Sequence, residues 1–241
     1  MCTVSWLHQD GGGYHVLFNR DEQRTRKPAS PPRLRLSEGV RYAAPEDGDF
    51  GGTWIATNEF GVTLCVLNGA NLTGREAPRG PAPCSRGWIA RRFIPATTAS
   101  EVESLFQDAN FMAFAAFTLV AIERGQTLVM EWDGAEKQAA RAGVLSPLIS
   151  SSFDPANVRG RRYERYGNVA GLGAGLESLV EFHAWHDGAP NAYSTCMHRP
   201  DAQTVSFSRI SVQDSRTNFF YSPQAPCQGL NGETLTLRLH S

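Results

Sequence analysis

Apolar and polar positions along the chain alternate in short bursts more often than they recur at helical spacing, which makes the hairpin the repeating unit. Residues 2–7 form a β-prone run, the turn-rich Gln9-Asp10-Gly11-Gly12-Gly13 follows, and residues 14–18 return. Residues 53–57 and 62–67 repeat the pattern around Asn58-Glu59-Phe60-Gly61, and residues 114–122 and 127–132 repeat it around Glu123-Arg124-Gly125-Gln126. Late strands are predicted at 193–197, 204–212 and 234–239. Helices are predicted at 85–94, 98–108, 155–166 and 176–185. The second carries a Ser100-x-x-Glu103 capping pattern with Val102, Leu105 and Phe106 on one face. The third starts behind Asp154 as N-cap, with Pro155 in the first helical position. Strand pairs interrupted by helix pairs predict an α+β fold in which antiparallel sheets are covered by helices. Residues 24–49, rich in Pro, Arg and Gly, read as a long ordered loop of the kind that rims a site.

Composition narrows the function classes. The chain has 241 residues with 41% hydrophobic and 20% charged, an ordinary globular balance that can bury a real core. Its 23 Lys plus Arg against 24 Asp plus Glu leave a formal net charge of −1, without the surplus of cations that a phosphate backbone requires, so no nucleic acid partner is expected. The longest nearly unbroken apolar run, 111–122, is well short of the roughly 20 residues that span a bilayer, so no transmembrane segment is predicted. The first residues carry no basic segment followed by a long apolar stretch, and the mature chain is expected to start at or beside Met1. Five cysteines, Cys2, Cys65, Cys84, Cys196 and Cys227, are odd in number and widely spaced, which fits a reducing cytoplasm and neither a disulfide framework nor a zinc module. No internal repeat marks a boundary, and one domain over 1–241 is expected.

Candidate chemistry begins at Cys2. A small second residue permits removal of the initiator methionine, and the product would carry a thiol and a free α-amine on one residue. The α-amine, with an unperturbed pKa of roughly 7.7 to 8.0, can act as a base near neutral pH, and the thiol is a nucleophile once deprotonated. Asn19-Arg20-Asp21-Glu22 ends the strand that returns from the Gly-rich turn, which sets it beside the N-terminus. A guanidinium near a thiol favours thiolate, and a carboxylate near an amine fixes its orientation. Taken alone, the same run reads more readily as a solvated charged turn after a strand. His183 and His186 share a predicted helix face, with Glu181 and Asp187 nearby, but lack enough ligands for a metal. Cys196-Met197-His198-Arg199 is rich in soft ligands, yet reads as a buried cysteine beside a strand-end histidine, so no metal site is predicted. Gly171-x-Gly173-x-Gly175 lacks the strand that a dinucleotide loop requires and reads as a connection.

Met-Cys-Thr at the start, Asn19-Arg20-Asp21-Glu22, Gly51-Gly52-Thr53-Trp54, Asn58-x-x-Gly61, Leu67-Asn68 and Ser194-Thr195-Cys196-Met197-His198-Arg199-Pro200 together resemble the NRDE family. Its eukaryotic members are called transport and Golgi organisation proteins. That family is similar to the cysteine N-terminal nucleophile hydrolases, near choloylglycine hydrolase and penicillin V acylase. The resemblance implies a four-layer αββα sandwich of the N-terminal nucleophile hydrolase type. It further implies Cys2 as nucleophile and base, Asp21 as orienter of the amine and Arg20 as charge partner of the thiol. Asn68 would supply an oxyanion donor, and Arg209 would match a distal arginine. Asn19 and Ser151 are assigned to substrate. The adjacent Arg20-Asp21 pair departs from the spacing in the hydrolases. Where they carry a further asparagine, this chain reads Ile149-Ser150-Ser151-Ser152-Phe153.

Three readings follow. One is a hydrolase that cleaves a linear amide of a small acylated substrate through a thioester on Cys2, needing no cofactor. The second is a carrier of haem, or of a lipid or acyl-CoA, with Cys2, His8, His15, Met197 and His198 as possible axial ligands. The third is a scaffold in which the Asn19–Glu22 run ties the sheets together through buried ion pairs.

Overall fold

The computed structural model describes residues 2–69, 71, 83–140, 143–170 and 175–240. The first hairpin joins β1 (Cys2–His8) to β2 (Tyr14–Gln23). It sits inside a sheet completed by β10 (Leu148–Ser150), β11 (Ala202–Gln213), β12 (Arg216–Ser222) and β13 (Glu233–Arg238). The six strands run antiparallel in the order β10-β1-β2-β11-β12-β13. The second sheet contains β3 (Ser30–Ser37), β4 (Val40–Glu46), β5 (Ile55–Asn58), β6 (Thr63–Asn68), β7 (Phe117–Glu123), β8 (Gln126–Trp132) and β9 (Lys137–Ala140), hydrogen-bonded in that order.

Alternation along each strand decides which layer it feeds. In β2, Tyr14, Val16 and Phe18 enter the core between the sheets, while Leu17 faces the opposite way onto Leu179 and Phe207. The inter-sheet core also takes Val4, Trp6, Ile55, Cys65, Val120 and Ile210. Tyr14 pins the two sheets, donating to the Gly61 carbonyl at 2.8 Å and lying 2.8 Å from Thr63 Oγ1. Helices α1 (Gly87–Phe93) and α2 (Ala99–Asp108) cover the outer face of the second sheet through Ile89, Phe93, Val102 and Phe106. Helices α3 (Pro155–Ala170) and α4 (Leu176–Ala184) lie on the first sheet's side, with Leu179 of α4 packed on its outer face. The layers are therefore helices, sheet, sheet, helices, the αββα sandwich expected. Among the described residues no helix is long and apolar enough to cross a membrane.

Several expectations are corrected. Residues 24–49 are not a loop: they contain the β3–β4 hairpin, turned by Glu38 and Gly39, both at positive φ (50° and 83°). The strand signal was weak because β3 is a sheet edge whose Leu34 and Leu36 remain exposed. Its Pro31 and Pro32 lie where the pairing with β4 is irregular, so they remove no ladder donor that the sheet needs. Residues 193–196 are bends and 197 lies outside any strand, because the Asn191 side chain accepts from the backbone N–H groups of Tyr193 (2.7 Å) and Ser194 (3.1 Å). The α2 cap is Thr98, which accepts from Glu101 N at 3.1 Å while the Glu101 carboxylate accepts from Thr97 N at 2.7 Å, so Ser100 and Glu103 fall inside the helix. Strands β9, β10 and β12 were not predicted. Residues 171–174 of the Gly-x-Gly-x-Gly segment lie outside the described residues.

Candidate active site

Pairing within the first sheet places Cys2 directly opposite Arg20 on β2 and Ser150 on β10. Arg20 continues the inward-facing series of Tyr14, Val16 and Phe18. Asn68 arrives from the other sheet, at the end of β6. These side chains share a cleft of about 400 Å³ that Phe50, Trp54 and Arg86 also line. The Gly51-Gly52-Thr53-Trp54 motif shapes one wall. Gly52 lies so close to the start of α1 that a Cβ there would meet the Gly87 backbone at 2.7 Å, and Thr53 N donates to Gly87 O at 2.9 Å.

Electrostatics at the thiol oppose one another. Burial, the leading cause, raises the Cys2 pKa above that of an ordinary thiol, and the Asp21 carboxylate adds to this, while the Asp21 backbone N–H and Arg20 pull the other way. The resting side chain is therefore a neutral thiol that needs a base. Arg20 is held by Asp47 Oδ2 at 2.5 Å and Glu22 Oε2 at 3.3 Å, with its guanidinium 4.4 Å over the Trp54 ring. Arg26 closes the network on Asp47 (2.6 Å) and Asp49 (2.5 Å). Burial pulls the Arg26 pKa down, but Glu22, Asp49 and Asp47 together raise it above the ordinary value. Asp47 also folds its own loop, accepting from Asp49 N (3.1 Å) and Phe50 N (2.9 Å). A second guanidinium, Arg86, lies near the thiol; burial lowers its pKa, with Cys2 and Glu22 opposing.

Asp21 borders the cleft, but its carboxylate reaches toward the helices. Oδ1 accepts from Thr204 Oγ1 at 2.7 Å, and Oδ2 lies 3.6 Å from Nη1 of the fully buried Arg162, which donates to Thr3 Oγ1 at 2.6 Å. The backbone N of Cys2 donates instead to Ser150 Oγ at 2.9 Å. Ser150 is thus the serine of the 150–152 run that meets Cys2. Ser151, assigned to substrate, is not among the residues that line the cleft; its hydroxyl donates to Phe153 O (2.6 Å) and accepts from Phe153 N (3.2 Å).

Two other expected residues are not brought to the cleft. Asn19, one position out of phase with Arg20, is buried on the helix side. Its Nδ2 donates to the carbonyls of His183 (2.8 Å) and Thr195 (2.9 Å), which leaves Oδ1 to accept from His183 Nδ1 at 3.0 Å. That arrangement sets the His183 tautomer, with Nε2 accepting from Ser5 Oγ at 2.8 Å. Arg209 pairs with Leu17 in the ladder and therefore faces outward, 5.3 Å over the Phe220 ring. Arg86 and Arg162 were missed, and Ser150 was singled out only as part of the 150–152 run. Arg162 is one of four arginines on α3, and nothing local separates the buried one from its solvated neighbours.

The side chains considered as haem ligands are distributed over the molecule. His8 Nε2 lies 2.8 Å from Thr127 Oγ1, His15 Nδ1 2.8 Å from Ser211 Oγ on the outer face, and Met197 is buried in the protein. His198 belongs to a separate group with His186, Cys196 and Cys227, away from the cleft.

The family model described as Transport and Golgi organisation 2 matches residues 1–152. No curated protein matches the sequence. Among solved structures, a mutant conjugated bile acid hydrolase from Clostridium perfringens is similar with a TM-score of 0.61 at 11% identity, covering 99% of this chain and 92% of the other. The Caenorhabditis elegans ortholog of N-acylethanolamine-hydrolyzing acid amidase gives a TM-score of 0.59 at 11% identity, covering 100% of both chains. At that identity the likeness concerns the fold, which is of the N-terminal nucleophile hydrolase type.

Proposed function

Because the chain belongs to the Transport and Golgi organisation 2 family and has an N-terminal nucleophile hydrolase fold, we propose that it hydrolyses a linear amide bond of a small acylated substrate through Cys2. One observation carries this reading: Cys2, Arg20 and Asn68, from three strands and both sheets, border the same cleft. A cleft of about 400 Å³ suits a small molecule, and its mixture of Trp54, arginines and acids suits a polar acyl amide. The solved structures of similar fold are named as a conjugated bile acid hydrolase and an N-acylethanolamine-hydrolyzing acid amidase ortholog, which supports this reading.

Removal of Met1 turns the backbone nitrogen of Cys2 into an α-amine. Ser150 Oγ, its partner in the sheet, then holds that amine beside the thiol. The amine takes the thiol proton as sulfur attacks the carbonyl carbon, which answers the raised pKa of the resting thiol. The Asn68 amide donates to the developing oxyanion, a contribution of roughly 2.7–4 kcal/mol for a well-placed donor. The amine product leaves with the proton, and water, deprotonated by the same α-amine, resolves the thioester to acid and free thiol. Arg20, already paired with Asp47 and Glu22, walls the cleft and orients polar substrate groups.

The test uses protein whose N-terminal peptide is mapped as starting at Cys2, challenged with a panel of small N-acyl amines and read by mass spectrometry. Turnover is expected, with an acyl adduct on the Cys2 peptide after rapid acid quench. Cys2→Ala should abolish both, and Asn68→Ala should lower kcat by about 10²–10³. Absence of turnover and of any adduct in correctly processed protein sinks the hydrolase reading; a saturable haem or acyl-lipid complex under those conditions would establish the carrier in its place.

A further inference from the structure

Away from the cleft, four side chains from three segments converge. His186 lies just beyond the end of α4, Cys196 and His198 belong to the bend-rich segment before β11, and Cys227 sits on the single-turn 3-10 helix Pro226–Gln228 after β12. One ring nitrogen from each histidine and both sulfurs lie within 4.8 Å of one another. His198 Nε2 is 3.6 Å from Cys196 Sγ and 3.3 Å from Cys227 Sγ, and the two imidazoles meet edge to face at 5.2 Å between ring centres. Both cysteines are free thiols.

We propose that His186, Cys196, His198 and Cys227 form a four-coordinate binding site for Zn²⁺. A tetrahedron with Zn–S bonds of about 2.3 Å and Zn–N bonds of about 2.0–2.1 Å has edges of about 3.3–3.8 Å, which the two sulfur–nitrogen separations already match. A Cys₂His₂ set with tetrahedral spacing selects zinc among the common divalent ions, since carboxylate-preferring ions find no oxygen ligand in it. His186 supplies an independent sign: its Nε2 is buried without a hydrogen-bond partner, a condition costing about 1–3 kcal/mol that a cation would relieve. Both cysteines would bind as thiolates, so Zn²⁺ enters as the thiol protons leave.

The site is closed, with four protein ligands and no open position, which makes its role structural. It would fasten the end of α4 and the 3-10 helix to the segment that leads into β11. That segment also carries Met197, whose N–H donates to Thr204 Oγ1 at 2.8 Å, and the same hydroxyl donates to Asp21. Zinc would therefore brace the outer flank of Asp21 without touching the cleft. The inference is independent of the proposed hydrolase activity.

The full chain, without a metal-binding tag, is to be purified under reducing conditions and its metal content determined, followed by Co²⁺ substitution and competition with a chromogenic chelator. The expected result is one Zn²⁺ per chain and, with Co²⁺, tetrahedral visible bands together with thiolate charge transfer. Cys227→Ser, at an exposed position that tolerates a small polar residue, should lose the charge-transfer intensity expected from one thiolate and bind Zn²⁺ at least about 100-fold more weakly. Cys2→Ser and Cys84→Ser should each retain full stoichiometry, so a failed hydrolase assay leaves the zinc result standing. Reduced wild-type protein that binds neither ion, or a Cys227→Ser variant with unchanged affinity and cobalt spectrum, overturns the proposal, as does isolation of a Cys196–Cys227 disulfide from protein that takes up no metal after reduction.

Discussion

His183 shows how one buried ring couples the fold to pH. Burial, assisted by Arg162, lowers its pKa to about 3, while in the unfolded chain it titrates near 6.5. Between those values the unfolded chain binds the extra proton, so this group's contribution is complete above about pH 6.5 and is lost as pH falls toward 3. Urea midpoints measured from pH 7 to pH 4 should fall steeply in the wild type and less steeply in His183→Gln; parallel slopes would remove His183 from the account. Arg162 carries a larger stake, because it is fully buried opposite Asp21. Arg162→Met should cost about 3–5 kcal/mol in urea unfolding, and adding Asp21→Asn should recover part of that loss. Equal stability of the single and double variants would show that the two charges do not depend on each other.

Elements differ in how openly the chain announces them. The β1–β2, β5–β6 and β7–β8 hairpins were legible because each joins two apolar runs through a Gly- or Asn-bearing turn. The four helices were legible from their periodicity and from Pro155. What stayed hidden was set by partners far along the chain. Strand β10 is three residues long and exists because it pairs with β1, while β3 is an exposed edge that lacks the apolar alternation of a buried strand. The candidate site divides along the same line. The first hairpin alone set Arg20 and Asp21 beside Cys2 and the family resemblance singled out Asn68, whereas choosing Ser150 over Ser151 required the β1–β10 register, and excluding Asn19 required knowing which face of β2 meets α4. His186, Cys196 and His198 each stood out as possible ligands, but their convergence was hidden because their spacing is irregular and Cys227 follows two further strands. The wall formed by Gly52 and Gly87 makes its own prediction: Gly52→Ala forces the backbones apart and should cost about 1–3 kcal/mol while moving Trp54 and Phe50 at the cleft. Unchanged thermal stability and unchanged cleft ligand affinity in Gly52→Ala would show that the contact is slack.

At the scale of the whole molecule, the sandwich depends on pairings between opposite ends of the chain. Strand β2 lies against β11, with Tyr14 opposite Val212 and Gln23 opposite Ala202, and β1 lies against β10, with Cys2 opposite Ser150. A fragment ending at residue 140 keeps all seven strands of the second sheet and loses four of the first, so it should show no cooperative unfolding and be digested by protease; a protease-resistant fragment would mean that the second sheet folds alone. The same wiring has a consequence for synthesis. A ribosome releases β1 and β2 first, but the strands that flank them, β10 and β11, emerge only after all of β3 to β9 have been made. For that interval Cys2 has neither Ser150 beside it nor a sheet around it. Any aminopeptidase that trims the start of the chain has this window in which to act, and an oxidant would reach the thiol in the same window.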